Sequence, residues 1–77
     1  MLFREHRAGL SQSMETVVSF ENKTDLIHVI NSRYPELSPV ALDDVEARPY
    51  GFDGRLGWNT HIVIVRGQAV GFTDATV

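Results

Sequence analysis

A β-branched run that ends on a Gly-led pair constrains this chain more than any other feature. Trp58-Asn59-Thr60-His61-Ile62-Val63-Ile64-Val65-Arg66 leads into Gly67-Gln68, and Ala69-Val70-Gly71-Phe72-Thr73-Asp74 follows. The pattern predicts two antiparallel strands joined by a tight turn. With Gly67-Gln68 as the turn, Arg66 pairs with Ala69, Val65 with Val70, Val63 with Phe72 and His61 with Asp74. Val63, Val65, Val70 and Phe72 then form one bulky face. Ile62 and Ile64 point the other way, beside Ala69, Gly71 and Thr73.

The rest of the chain supplies partners for that hairpin. Residues 2 to 7 read as a first strand, with Leu2, Arg4 and His6 on one side and Phe3, Glu5 and Arg7 on the other. Residues 8 to 13 have loop composition. Met14 to Phe20 reads as a second strand, Thr16, Val18 and Phe20 sharing a face. Asn22 or Thr24 caps a helix that runs to Arg33 or Tyr34. Leu26, Ile27, Ile30 and Tyr34 fall in one arc of that helix, with Val29 at its margin. Asp25 and Arg33 suit the two ends of its dipole, and Pro35 stops it.

Beyond the helix, Ser38-Pro39 is a candidate opening for one helical turn. Val45 to Phe52 reads as a third extended segment. Pro49 inside it calls for an edge strand or a bulge, and a bulge would place Val45, Ala47, Tyr50 and Phe52 on one face. Asp53-Gly54-Arg55-Leu56-Gly57 is turn-rich. The expected fold is therefore α+β: a single domain over residues 1–77, in the order β-β-α-β-β-β, with a mostly antiparallel sheet and one helix packed on one face. The expected core is Val18, Phe20, Leu26, Ile30, Val63, Val65, Val70 and Phe72.

Composition narrows the function classes. With 77 residues, 43% of them hydrophobic and 22% charged, the chain suits one modest core. It has no cysteine. Thiolate zinc sites and thiol catalysis are thereby excluded, and a cytoplasmic setting is favoured over a disulfide-stapled secreted one. The opening residues lack the apolar stretch of a signal peptide, and no apolar run is long enough to span a membrane. Net charge is −3, and the seven Lys and Arg residues are scattered. Nucleic acid, which draws affinity from clustered cations, is a weaker expectation than a protein partner.

Two sets of residues carry a resemblance. Phe3-Arg4-Glu5-His6-Arg7-Ala8-Gly9-Leu10 and Ser13-Met14-Glu15-Thr16-Val17 resemble the opening of small uncharacterised proteins of tailed phages and prophages. Tyr50-Gly51-Phe52-Asp53, Arg55-Leu56-Gly57-Trp58-Asn59-Thr60 and Val70-Gly71-Phe72-Thr73-Asp74 are similar to the endings of the same proteins. The quoted segments together make up 28 of the 77 residues, and the family more often carries Asp where this chain has Asn59. It implies a phage or prophage origin and a bacterial host cytoplasm, and it brings no activity with it.

Candidate sites are few. Among the histidines, His28 faces away from Leu26 and is expected in solvent, and His61 is expected in a cross-strand pair with Asp74. His6 can approach His61 only if the first strand neighbours the fourth. No metal site or cofactor is expected. Asp53, Arg55, Trp58 and Asn59 form the densest polar and aromatic cluster, in a loop where function concentrates and where Trp and Arg suit an interface. Turn chemistry and core capping explain the same residues and are the favoured reading of them. Tyr50 and Phe52 suit stacking on single-stranded nucleic acid, although cations are not interleaved with them. No nucleophile elbow or phosphate loop is present, and Asp43-Asp44 in an extended segment would point apart. A catalytic role is not expected.

The expected function is therefore a non-enzymatic accessory protein that works through protein–protein interaction, as a homodimer acting on a host or phage protein. The candidate interaction residues are Tyr50, Asp53, Arg55, Trp58, Asn59, Ile62 and Ile64. The alternative is a nucleic-acid-associated protein using an aromatic sheet face.

Overall fold

The structure is a computed structural model that describes residues 1–6, 16–53 and 58–75, with backbone pairing alone for residues 52, 53, 58 and 59. Its strands are β1 (Leu2–Glu5), β2 (Val17–Ser19), β3 (Val45–Asp53), β4 (Trp58–Val65) and β5 (Gln68–Thr73), and helix α1 (Lys23–Arg33) follows β2. The element order is β-β-α-β-β-β. All pairings are antiparallel, and the strands lie in the order β2-β1-β5-β4-β3.

Helix α1 begins where its cap chemistry requires. The Asn22 side chain accepts a hydrogen bond from the Asp25 N–H at 2.9 Å, and the Asp25 carboxylate accepts one from the Glu21 N–H at 2.9 Å. Tyr34 ends the helix, its N–H bonded to the Ile30 carbonyl, and Pro35 opens a single 3-10 turn, Pro35–Leu37. A second such turn, Leu42–Asp44, precedes β3. Neither turn opens at Ser38-Pro39, whose peptide bond is cis. Pro35 takes the first-position role expected of Pro39, because the helix stop leaves Pro35 at the start of the next turn.

One face of α1 lies on the sheet. Leu26, Ile27, Ile30 and Tyr34 are buried with Phe3, Phe20, Val40, Val45, Val63, Val65 and Val70, and Val29 and Leu37 pack against this cluster. The helical arc is the one the spacing predicts. Phe3 is fully enclosed, although it was not among the expected core residues. Its ring lies where a Cβ on Gly71 would stand, 2.6 Å from that position, with the Arg4 carbonyl at 2.4 Å. Only glycine at position 71 allows β1 and the Phe3 ring to close onto β5.

The β4–β5 hairpin forms with a different register. Arg66 and Gly67 are its two central residues, with φ of 47° and 83°, and Val65 pairs with Gln68. Both central residues have positive φ, so Gly67 takes the second position of the turn, where the expected Gly67-Gln68 turn would have it first, and both arrangements match the strand twist. Ile64 pairs with Ala69, Val63 with Gly71, Ile62 with Phe72 and His61 with Thr73. The register shift leaves Val70 as an extra residue on β5. Val70 still joins the core, but Phe72 moves to the side of Ile62, away from α1. Gly71 and Thr73 go to the helix side, the reverse of the expected arrangement.

At the sheet edge, β3 shows both features expected of Pro49. It is an outer strand, and its register shifts between Pro49 and Gly51. The shift falls one residue later than a common face for Val45, Ala47 and Tyr50 would need. Tyr50 therefore keeps simple alternation with Arg48 and faces away from the core. The Phe52 side chain lies outside the described residues.

Candidate functional site

The face of the sheet that α1 leaves uncovered carries the candidate site. Its central rung runs Val17, Arg4, Phe72, Ile62, Arg48 across β2, β1, β5, β4 and β3. The adjacent rung on the β3 side is Ala69, Ile64, Glu46. Phe72 is the hub. The Arg4 guanidinium carbon lies 4.7 Å from its ring centroid, and the rings of His6 and Tyr50 meet it edge-on at 6.0 and 5.1 Å. Arg4 is buried in this arrangement. Tyr50 is 65% exposed, and Ile62, Ile64 and Phe72 are partly exposed.

Of the predicted interaction residues, Tyr50, Ile62 and Ile64 thus share one surface. Asp53 and Trp58 pair at the far end of β3 and β4, with Asn59 opposite Phe52. The side chains of Asp53, Trp58 and Asn59, and all of Arg55, lie outside the described residues. Sequence reasoning missed Phe72, which it assigned to the core, and it missed Glu46 and Arg48. The Glu46 carboxylate accepts a hydrogen bond from Arg48 Nη2 at 2.8 Å on this exposed edge. The alternation Glu46-x-Arg48 held a signal for these two.

The histidines do not converge. His28 is exposed on α1, as expected. β1 neighbours β5 rather than β4, and His6 and His61 lie on opposite faces of the sheet. His61 pairs with Thr73, not Asp74, and the Asp74 carboxylate instead accepts a hydrogen bond from the Leu2 N–H at 2.8 Å. The one-residue change in the hairpin register accounts for this.

Several polar groups perform structural work on the helix side. Arg33 reaches from the end of α1 and grips the Glu5 carboxylate with two bonds, 2.7 and 3.0 Å. Those bonds raise the Arg33 pKa further above its ordinary value, against the opposing effect of desolvation. Tyr34 donates its hydroxyl hydrogen at 2.6 Å to the carbonyl of Val70, the extra residue of the β5 bulge, which also accepts the His6 N–H at 2.9 Å. Arg66 ties the hairpin tip to the connector. It donates to the Asp44 carboxylate at 3.0 Å and to the carbonyls of Leu37 and Pro39. Asp44 also accepts from the Ala41 N–H at 3.0 Å. That backbone bond first, and Arg66 second, hold its carboxyl below the ordinary carboxylate range. Asp43 and Asp44 share a 3-10 turn rather than an extended segment, and Asp44 is committed to these bonds.

Among the described residues, no group of three or more His, Asp or Glu side chains could hold a metal ion, and no helix is long and apolar enough to cross a membrane. The fold and this surface define a small α+β domain in which, among the described residues, a five-stranded antiparallel sheet carries a single α-helix on one face. No family model, no curated protein and no solved structure matches the chain.

Proposed function

We propose that this protein is a non-enzymatic accessory protein that binds other proteins through the helix-free face of its sheet. The observation that carries this reading is the group of apolar side chains left partly in water there: Tyr50, Phe72, Ile62 and Ile64. Contiguous exposed apolar surface on a small domain marks a binding surface. The commitment of Glu5, Asp44, Tyr34 and Arg66 to holding the fold together supports a binding role over a catalytic one. The resemblance of the terminal segments to small phage and prophage proteins supports a setting in a bacterial host cytoplasm, with a host or phage protein as partner.

Affinity capture from phage-infected bacterial cells tests the reading. The baits are the wild type, a sheet-face variant Tyr50→Asp/Ile64→Lys and a helix-surface variant His28→Asp, each with a matched melting curve. A partner retained by the wild type and the helix variant, but lost from the sheet-face variant, is the expected result. Retention by the sheet-face variant overturns it. Binding that is lost on nuclease treatment and falls steeply with salt would instead assign the aromatic face to single-stranded nucleic acid.

A further inference from the structure

The pattern of side chains on the helix-free face is self-complementary, and we propose that its occupant is a second copy of this chain, packed sheet against sheet. The inference rests on the reading of that face as the binding surface. A two-fold interface brings the same patch together twice, so residue i of one protomer meets j of the other while j meets i. Place the two-fold axis in the plane of the face, between the rung Phe72, Ile62, Arg48 and the rung Ala69, Ile64, Glu46. Each rung then lies over the other rung of the second protomer.

The contacts that follow are favourable in size and charge. Ile62 of each protomer meets Ile64 of the other, making a symmetric apolar centre. Phe72, the largest side chain of its rung, meets Ala69, the smallest of the other. Arg48 meets Glu46 and Glu46 meets Arg48, so the intramolecular pair at 2.8 Å becomes a closed square of alternating charges. Strands of the two sheets run nearly antiparallel, within the ~30° rotation that stacked twisted sheets adopt. An unrelated partner would need to supply this alternation independently, whereas a second copy supplies it by symmetry.

Arg4 and Thr60 are already buried on this side, so the open area covers only part of the sheet. The interface belongs to the small class, below ~1,200 Å² in total, where association is weak and concentration-dependent.

Sedimentation of the full chain across micromolar to millimolar concentration, with two charge variants, tests the proposal. Glu46→Arg sets Arg against Arg48 twice across the interface, and Arg48→Glu sets Glu against Glu46 twice. Each variant alone should dimerise at least ~10-fold more weakly than the wild type, since juxtaposed like charges are strongly unfavourable. An equimolar mixture of the two should recover dimer, because each site then meets its opposite charge. Damage to local folding is not repaired by mixing, so recovery in trans reads the interface alone.

A wild type that stays monomeric at millimolar concentration overturns the dimer while leaving the capture experiment with a different protein open. A wild-type dimer that neither variant weakens, or a mixture that does not recover, overturns this placement of the two-fold axis.

Discussion

The two faces of the sheet are built from the same strands, yet they meet different surroundings. On the helix side Phe3, Val63, Val65 and Val70 are enclosed under α1. On the other side Ile62, Ile64, Phe72 and Tyr50 alternate with them along β4, β5 and β3 and remain partly in water. The apolar residues do not separate the faces, since Ile and Phe are no less apolar than Val, although the open face also carries Arg4, Glu46 and Arg48. What separates them is cover: a sheet with apolar residues on both faces needs a layer on each, and α1 supplies only one.

The largest test of this contrast compares two phenylalanines. Phe3→Ala should cost about 3–5 kcal/mol, as truncation of a fully buried aromatic does. A domain of this size holds only roughly 4–12 kcal/mol in total, so this variant should be close to unfolded at room temperature. Phe72→Ala, on the open face, should cost at most about half as much. Denaturant midpoints that rank the two variants the other way would break the contrast between the faces.

Next in size is the tie between helix and sheet. Arg33→Ala leaves the Glu5 carboxylate, which is only 6% exposed, without its two-bond partner. A broken buried pair costs ~3–5 kcal/mol, and because Arg33 itself is one-third exposed the expected loss is lower, about 2 kcal/mol. Urea unfolding measures it. A neutral result would show that Glu5 does not depend on the helix.

The hairpin turn sharpens the comparison at its edge. Gly67→Val forces a β-branched residue to positive φ and should cost about 1–2 kcal/mol, whereas Gln68→Ala should change little. Equal effects from the two would contradict the Arg66-Gly67 turn.

A pH series gives a smaller, signed effect. The folded state holds the Asp44 carboxyl below its unfolded value, so its contribution to stability is present above the unfolded pKa and is lost as pH falls through the folded one. Asp44→Asn should therefore be less stable than the wild type near neutrality and converge on it in strong acid. A stability gap that grows on acidification would reverse the assigned sign. The smallest expected effect is at the open face, where Tyr50→Ala should move the melting midpoint little, a surface change being worth within ~0.5 kcal/mol.

Much of the fold was legible where the signal is local. The apolar arc from Leu26 to Tyr34 and the Pro35 stop depend on neighbours within a few residues and appear as the sequence predicts, and of the two expected caps, Asn22 and Thr24, it is Asn22 that caps the helix. The candidate site was legible in Ile62, Ile64 and Tyr50 and illegible in Phe72. In a strand, side chains alternate with a period of two, so one extra residue sends every later side chain to the opposite face. Gly67 signals a two-residue turn but fits either of its central positions. The bulge at Val70 could not be placed from local sequence, because what fixes it lies elsewhere: the Tyr34 hydroxyl on its carbonyl and the Phe3 ring over Gly71.

The sequence by itself determined which segments become helix and strand, because capping and periodicity act over a few bonds. It set the hairpin turn one residue late and expected a helical turn at Ser38-Pro39, where none opens. Only the tertiary structure decided that β1 inserts between β2 and β5, and that Phe72 leaves the core for the open face. Strand order and bulge position are chosen by contacts between residues as far apart as Phe3 and Gly71, whose packing no local pattern encodes.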